Sequence, residues 1–443
     1  MFTTFTTPVS LKRVAWRGSL LTMVISLLAF TIALAASGDL DTTFSGDGLV
    51  ATDFFGGNNI PNDIAIQSNG KIVVVGWSTM PSTDFALTRY NTGGSLDITF
   101  SGDGRLTTNF GGVDAAYDVA VQADGKIIAV GSTCSSTTGI CNIALARYNP
   151  GGALDTTFSG DGKQVADFGG GDNGTYGGLA IQPDGKIVVA GYMYNGANYD
   201  FAVYRYNTNG TLDTTFSGDG KVKIGFGTGR RDYAYGLGFQ STDGKIVVVG
   251  YTADVNFDTG NFALVRLNPN GTLDNTFSGD GRQSTDFGGD DFGYGFGGYA
   301  DGRMVVVGYK DVGSLSYFAI ARYHPDGSLD TTFNGTGRKS FSIIPGELSW
   351  AYDAVIQVDG KIVVGGVTDK DNFSTLTDFA LVRLNPGGGL DTSFSGDGKV
   401  IIDFGGADSG NALARQPLDG KYVLVGYNDN GSQTDFALAR VLP

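Results

Sequence analysis

The sequence predicts an all-β protein: a seven-bladed β-propeller of four-stranded antiparallel blades, with the ring closed by pairing of its N- and C-terminal strands. Three observations lead there. The composition disfavours helices, three short motifs recur seven times in phase, and the two ends of the repeat array are complementary. Of 443 residues 71 are glycine, and 44 of the 45 acidic residues are aspartate. Aspartate and glycine serve turns, where a short side chain bonds the local backbone and a positive φ is tolerated. With 41% hydrophobic and 17% charged residues, the chain has enough apolar material for a packed core.

The N-terminal segment stands apart. Lys12, Arg13 and Arg17 precede an uncharged stretch from Leu20 to Ala35 that ends in Ala33-Leu34-Ala35. This is the pattern of a secretory signal peptide, assigned here to residues 1–36, and the apolar run is short for a bilayer span, which needs roughly 20 residues. A single domain is expected over residues 37–443. Without the leader the chain carries 27 basic and 45 acidic residues, a net of −18, so nucleic acid and anionic lipid are repelled. Cys134 and Cys141, the only cysteines, flank a six-residue loop and are expected to form a disulfide in an oxidising compartment. The expected location is secreted or at the cell surface, and the expected state is a monomer.

The repeat defines the elements. LDTTFSGDG or a close variant begins at Leu40, Leu96, Leu154, Leu212, Leu273, Leu329 and Leu390. A second motif, represented by DGKIVVVG at Asp243 to Gly250, ends at Gly76 in the first copy and Gly426 in the last. A third, DFALxRY, is centred on Arg89, Arg147, Arg205, Arg266, Arg322, Arg383 and Arg440. The approximate repeats are 40–95, 96–153, 154–211, 212–272, 273–328, 329–389 and 390–443. Within a copy, runs such as Ile64 to Gln67, Ile72 to Val75, Phe85 to Tyr90 and Leu106 to Phe110 are β-rich and bounded by turn residues; we call them strands A, B, C and D. QPDGK at Gln182 to Lys186 reads as the tight A-to-B turn. The continuously apolar B strands need cover on both faces, which stacked small sheets provide. The chain enters with a D strand, Gly48 to Phe54, and leaves after a C strand, Phe436 to Val441, so the first should complete the last blade.

The wording LDTTFSGDG, DFGG, IQPDGKIVVAG and ALARYNPGG closely resembles the delta-60 repeat family of bacterial exported β-propeller proteins, over residues 40–443. The resemblance implies the fold and an exported or surface location. It implies no activity and supplies no catalytic positions. One copy departs from the pattern at Phe341 to Tyr352, where FGG is lost.

A residue required once per blade points to a bond that every blade must make. The C-strand arginines are therefore expected to bond the Asp of LDTTF, such as Asp97 or Asp155, and the basic residue after the A-to-B turn (Lys71 and its equivalents) has a similar structural role. That Asp should also cap the following turn, with Leu and Phe plugging the blade base. The turns Asn207 to Asp213, Asn268 to Asp274 and His324 to Asp330 distantly resemble short calcium loops, but they offer too few oxygen side chains, and no metal or other cofactor is assigned. With His324 as the sole histidine, and that in a turn, Ser-His-Asp chemistry is not expected.

With alternating strands, the A-to-B turns and C-to-D connections share one face, and the variable B-to-C and D-to-A loops share the other; were SLDTTF itself a strand, that parity would change. The candidate ligand-binding residues lie in the variable segments: Trp77, Tyr192, Tyr194, Arg230, Arg231, Asp290, Asp291, Glu347 and Trp350. Exposed aromatics beside polar groups suit an extracellular carbohydrate or a protein partner. No catalysis is evident, and a binding or structural module is the first expectation. The alternative is a propeller-fold glycoside hydrolase or lyase using Asp290, Asp291 and Glu347.

Overall fold

The computed structural model describes residues 35–167, 173–257, 259–370 and 376–443; nearly all of the expected leader lies outside them. Among the described residues there is no helix, and so none long and apolar enough to cross a membrane. Each repeat supplies strand D of one blade and then strands A, B and C of the next. In blade 1 these are Asn59–Ile66 (A), Ile72–Ser78 (B), Asp84–Tyr90 (C) and Arg105–Thr108 (D), paired in sequence order. Seven such sheets form the ring, as the repeat count requires. The A strands are longer than the apolar runs alone suggested, because their polar first halves are also hydrogen-bonded to B.

The ring closes as the ends of the array imply. Leu49–Thr52 pairs antiparallel with Thr434–Val441, with Leu49 opposite Ala439 and Thr52 opposite Phe436, and so becomes strand D of blade 7. No edge is left at the seam.

The space between blades is filled by the repeat's own apolar positions. Ile72 and Val74 of blade 1 pack with Val423 and Val425 of blade 7, and Phe44 from LDTTF completes that cluster. The seven equivalent phenylalanines, Phe44, Phe100, Phe158, Phe216, Phe277, Phe333 and Phe394, are all fully buried. Each removes an aromatic face from water, roughly 1.5–3 kcal/mol of burial per side chain. LDTTF is not a strand: its Leu makes one isolated bridge, such as Leu96 to Tyr90, and a turn follows. The parity of the faces therefore stands. In SGDG the serine already has a left-handed backbone (Ser101 φ 55°) and the glycines continue it (Gly102 φ 92°, Gly104 φ 88°), which explains the motif's recurrence.

The expected arginine bond is present in every blade. Arg89 Nε lies 2.6 Å from Asp97 Oδ2, and Lys71 Nζ lies 2.7 Å from the same oxygen. Arg440 and Lys421 make the same node with Asp41, 399 residues before Arg440 in the chain, which also locks the seam. Thr99 donates its N–H and hydroxyl to Asp97 Oδ1, so the aspartate caps the turn as well. Arg89 Nη1 donates to the carbonyl of Pro150 in the next repeat, and its guanidinium lies 4.7 Å from the Phe100 ring centroid. Burial works to raise the pKa of Asp41, but Lys421, Thr43 and Arg440 outweigh it and hold the carboxyl at about 2.

Cys134 and Cys141 are cross-strand partners at the end of the B–C hairpin of blade 2, joined by the expected disulfide.

Candidate functional site in the axial cavity

The expected candidates divide among several blades, and most have neighbours of their own. Trp77 and Trp350 stand on strands rather than in loops, at the end of B in blade 1 and the start of A (Ser349–Ile356) in blade 6, opposite Ile60 and Val367; both are half-buried. Tyr192 is buried in strand B of blade 3, and Tyr194 follows on the same strand against Tyr199. Arg230 donates from Nη2 to the carbonyls of Thr252 and Thr259, while Arg231 lies over Phe257. Asp290 accepts from the Gly260 N–H. Asp291 is fully buried and accepts from the Phe287 N–H. The same turn is closed by Asp114 on Phe110, Asp232 on Phe226 and Asp408 on Phe404, so Asp291 holds a place that recurs around the ring. In the divergent copy Ser349 Oγ substitutes, accepting from Ile343 N–H. Glu347, in the loop before it, is partly buried.

The turns that resemble calcium loops are closed internally: Asn207 Nδ2 donates to Thr211 Oγ1 and to the Leu212 carbonyl. Among the described residues, Asp378, Asp403 and Asp408 bring carboxylate oxygens within 4.8 Å of one another, and Lys370 Nζ lies 2.6 Å from Asp378 and 2.9 Å from Asp403. An ammonium thus already stands against that group.

The ring encloses a cavity of about 350 Å³ walled by the A strands of all seven blades. Its geometry follows from one irregularity. Six of the A strands carry a β-bulge at the same register, between Pro61 and Asp63, Ala116 and Asp118, Ala234 and Gly236, Gly293 and Gly295, Ala351 and Asp353, and Gly410 and Ala412. A bulge re-aims its extra residue. Here those residues, Asn62, Tyr117, Tyr235, Tyr294, Tyr352 and Asn411, all line the cavity. In blade 3 the A strand is interrupted between Asn173–Gly174 and Leu179–Ile181, and Tyr176 occupies the corresponding place.

The tyrosines brace one another. Tyr176 stacks on Tyr235 (5.2 Å, 12°) and on Tyr192 (5.1 Å, 25°), and Tyr294 stacks on Tyr309 (5.6 Å, 18°). Of the expected residues, Tyr192 thus supports the cavity wall from behind. Burial drives the phenols of Tyr235 and Tyr294 well above their ordinary range and, with Tyr176 nearby, pushes Tyr117 to about 12. They remain neutral hydrogen-bonding groups at physiological pH.

Three carboxyls complete the lining: Asp63, Asp118 and Asp353. Each is oriented by the blade that follows. Asp63 Oδ2 accepts from Val119 N–H (2.8 Å), Asp118 Oδ2 from Gly178 and Leu179 N–H (2.8 and 2.7 Å), and Asp353 Oδ2 from Leu413 N–H (2.9 Å). Burial raises all three, Asp353 to about 7, and the neighbouring Asp118 carboxyl raises Asp63 further. The repulsion between Asp63 and Asp118 and the burial of both favour keeping a proton on Asp63. The cavity therefore presents hydroxyl and carboxyl groups able both to donate and to accept.

The fold and this lining define the class: a seven-bladed β-propeller repeat protein with an axial cavity. Six segments, 67–100, 122–158, 182–216, 242–277, 300–333 and 357–394, match the family described as Domain of unknown function (DUF5122) beta-propeller, so the repeats are those of a propeller family. No curated protein matches the chain. Solved structures of similar shape include the polysaccharide lyase Uly1 (12% identity, TM-score 0.50, 86% of this chain and 89% of that one). An ulvan lyase of family PL25 (12%, 0.48, 89% and 96%) and a catalytically inactive virginiamycin B lyase from Staphylococcus aureus (11%, 0.47, 88% and 98%) are also similar. At such identities the likeness is one of fold.

Proposed function

We propose that the protein is an exported, extracytoplasmic or cell-surface propeller of the delta-60 repeat group that serves as a carbohydrate-binding module, with the axial cavity as its site. The observation that carries this reading is the bulge ring. Four tyrosines and two asparagines at one bulge register, with Tyr176 in the corresponding place of blade 3, line a common space with three protonatable carboxyls. Neutral phenols, amides and protonated carboxyls suit a polyhydroxylated ligand, whose hydroxyls also both donate and accept. The N-terminal leader pattern and the disulfide support export.

The test is calorimetric titration of the protein with a panel of soluble oligosaccharides. Binding should appear for at least one class and weaken at least about tenfold in Tyr235→Ala, whereas Tyr194→Ala, outside the cavity lining, should bind as before. No binding across the panel, or equal binding by Tyr235→Ala, would remove the cavity from consideration.

A polysaccharide hydrolase or lyase is the second reading, favoured by Asp353: a carboxyl raised to about 7 in a cavity can act as a proton donor. It would release new reducing ends from a bound polymer and lose that activity in Asp353→Asn. Retention of polymer without release favours the binding module.

A further inference from the structure

We propose that the carbohydrate taken by the axial cavity carries a free amine, an amino sugar whose ammonium group pairs with Asp63, Asp118 and Asp353; this rests on the carbohydrate-binding reading above.

The argument comes from comparing the seven A strands position by position. The residue after the bulge is Asp63, Asp118, Gly236, Gly295, Asp353 and Ala412 in blades 1, 2, 4, 5, 6 and 7, and Gly177 and Gly178 stand there in blade 3. Four blades complete the ring without a carboxyl at this place, so the fold does not demand one. The three that carry it are not scattered. Blades 6, 7, 1 and 2 are consecutive once the seam is closed, so the carboxyls share one arc. Tyr176, Tyr235 and Tyr294 stand in blades 3, 4 and 5, which carry no carboxyl, while Tyr117 and Tyr352 precede the carboxyls of blades 2 and 6.

The cavity aspartates and the LDTTF aspartates differ in their partners. The LDTTF aspartates each meet two cationic side chains, as Asp155 meets Arg147 at 2.8 Å and Lys126 at 3.1 Å. Among the described residues, the cavity lining contains no lysine, arginine or histidine. Its carboxyls are held by backbone N–H groups, which fix their direction but bring no full charge. A group with that orientation and no cation keeps its proton until one arrives. An entering ammonium supplies the missing charge, and the displaced proton leaves to solvent, so binding and proton release are linked. The titratable groups facing the space are these three carboxyls and the five tyrosines, of which Tyr235 and Tyr294 are held neutral by burial. The formal net charge of −15 draws cationic ligands and disfavours sulfated or uronic ones. A cavity with carboxyls in blades 6, 1 and 2 and phenols without carboxyls in blades 3, 4 and 5 thus matches a sugar ring bearing an ammonium on one side.

The experiment is titration calorimetry of the protein at about pH 6, where the carboxyls still hold protons to release, with a glucosamine trimer and an N-acetylglucosamine trimer, repeated in two buffers of different ionisation enthalpy. The free-amine trimer is expected to bind at least about tenfold more tightly. Its apparent enthalpy should change with the buffer by the amount that proton release requires. Asp353→Asn and, separately, Asp118→Asn should abolish the preference while leaving the ring folded by circular dichroism and thermal unfolding. Equal or tighter binding of the acetylated trimer overturns the proposal. So does a preference that survives both substitutions, since it would then reflect only the acidic surface. If neither trimer binds but another oligosaccharide does in a Tyr235-dependent way, the amine assignment falls and the carbohydrate reading stands. If no oligosaccharide of any kind binds, both fall.

Discussion

Replacing Asp353 with asparagine should change how stability depends on pH more than it changes stability itself. The folded carboxyl titrates near 7 against an ordinary value near 3.8. Between those values the folded protein holds a proton that the unfolded chain has released. Stability therefore falls as pH rises through this window; the contribution is complete below about pH 4 and lost above about pH 7. A carboxyl that keeps its proton across that window contributes at most about 4 kcal/mol. Asp63 and Asp118, raised by burial beside one another, act in the same direction. The LDTTF carboxylates work oppositely. They are held low by their cations despite burial, so their contribution is present above about pH 4 and lost as pH falls below it. The wild-type protein should accordingly be most stable near about pH 4–5. Asparagine cannot titrate, and its one amide oxygen can accept from Leu413 or Ala354 N–H but not serve both as the carboxyl oxygens do, a loss of about 1 kcal/mol. Guanidinium denaturation followed by tryptophan fluorescence from about pH 4.5 to 8.5, a range set by this window, should give curves that cross, with wild type ahead at the acid end and Asp353→Asn ahead at the alkaline end. Parallel curves would refute the reasoning, because they would mean that Asp353 is ionised throughout.

Three further outcomes follow from the packing. Asp155→Ala leaves Arg147, only 5% exposed, without its carboxylate and should cost about 3–5 kcal/mol in chemical denaturation, whereas Lys126→Met, on the wetter side of the same node, should cost under about 1 kcal/mol; equal costs would contradict the node. Deleting residues 36–58 removes strand D of blade 7, the buried Phe44 and Phe54, and the Asp41 partner of Arg440, and should lower the melting temperature sharply with aggregation through the opened edge; an unchanged melting curve would contradict ring closure. The double substitution Cys134→Ser with Cys141→Ser should cost about 2 kcal/mol, by the loop-entropy relation for so short a loop, with the β circular dichroism signal retained.

The scaffold was legible because a ring makes the same demand seven times. An arginine centred in every C strand and an aspartate in every LDTTF could be matched as partners without coordinates, since opposite charges present once in every copy point to a bond each blade must make. The closure strand was legible for the same reason: the array begins with D and ends with C. The cavity was not. Its residues sit in the polar first half of strand A, where alternation is broken by the bulge, and the β-rich run starts only afterwards, at Ile64 in blade 1. Trp77, Trp350 and Asp291 drew attention as chemically conspicuous residues in variable segments. Yet the tryptophans are strand residues, and Asp291 closes a turn that three other blades close with aspartate. A signal was nevertheless present. Aligning copies on the glutamine that ends strand A puts Asn62, Tyr117, Tyr235, Tyr352 and Asn411 in one column, each five residues before Gln67, Gln122, Gln240, Gln357 and Gln416.

That column bears on where function can reside in a closed repeat. Positions filled alike in all copies are consumed by the ring: the node of Arg89, Asp97 and Lys71 recurs wherever one blade meets the next, and a change there is a change in stability. Positions that differ from copy to copy, as in the B-to-C loops, carry no bond that every blade must make. A third kind varies while keeping its geometry. The bulge and the residue after it are aimed at the axis in blade after blade, but only blades 6, 1 and 2 place a carboxyl there, while blades 4 and 5 place glycine against the backbone of the next strand, where a Cβ would come within 2.6 Å of the Tyr294 carbonyl or 2.7 Å of the Tyr352 carbonyl. Holding three half-buried carboxyls without cations costs stability at neutral pH that glycine or alanine would not cost. A burden of that kind, confined to one arc around a cavity, is the feature on which the proposed binding role rests.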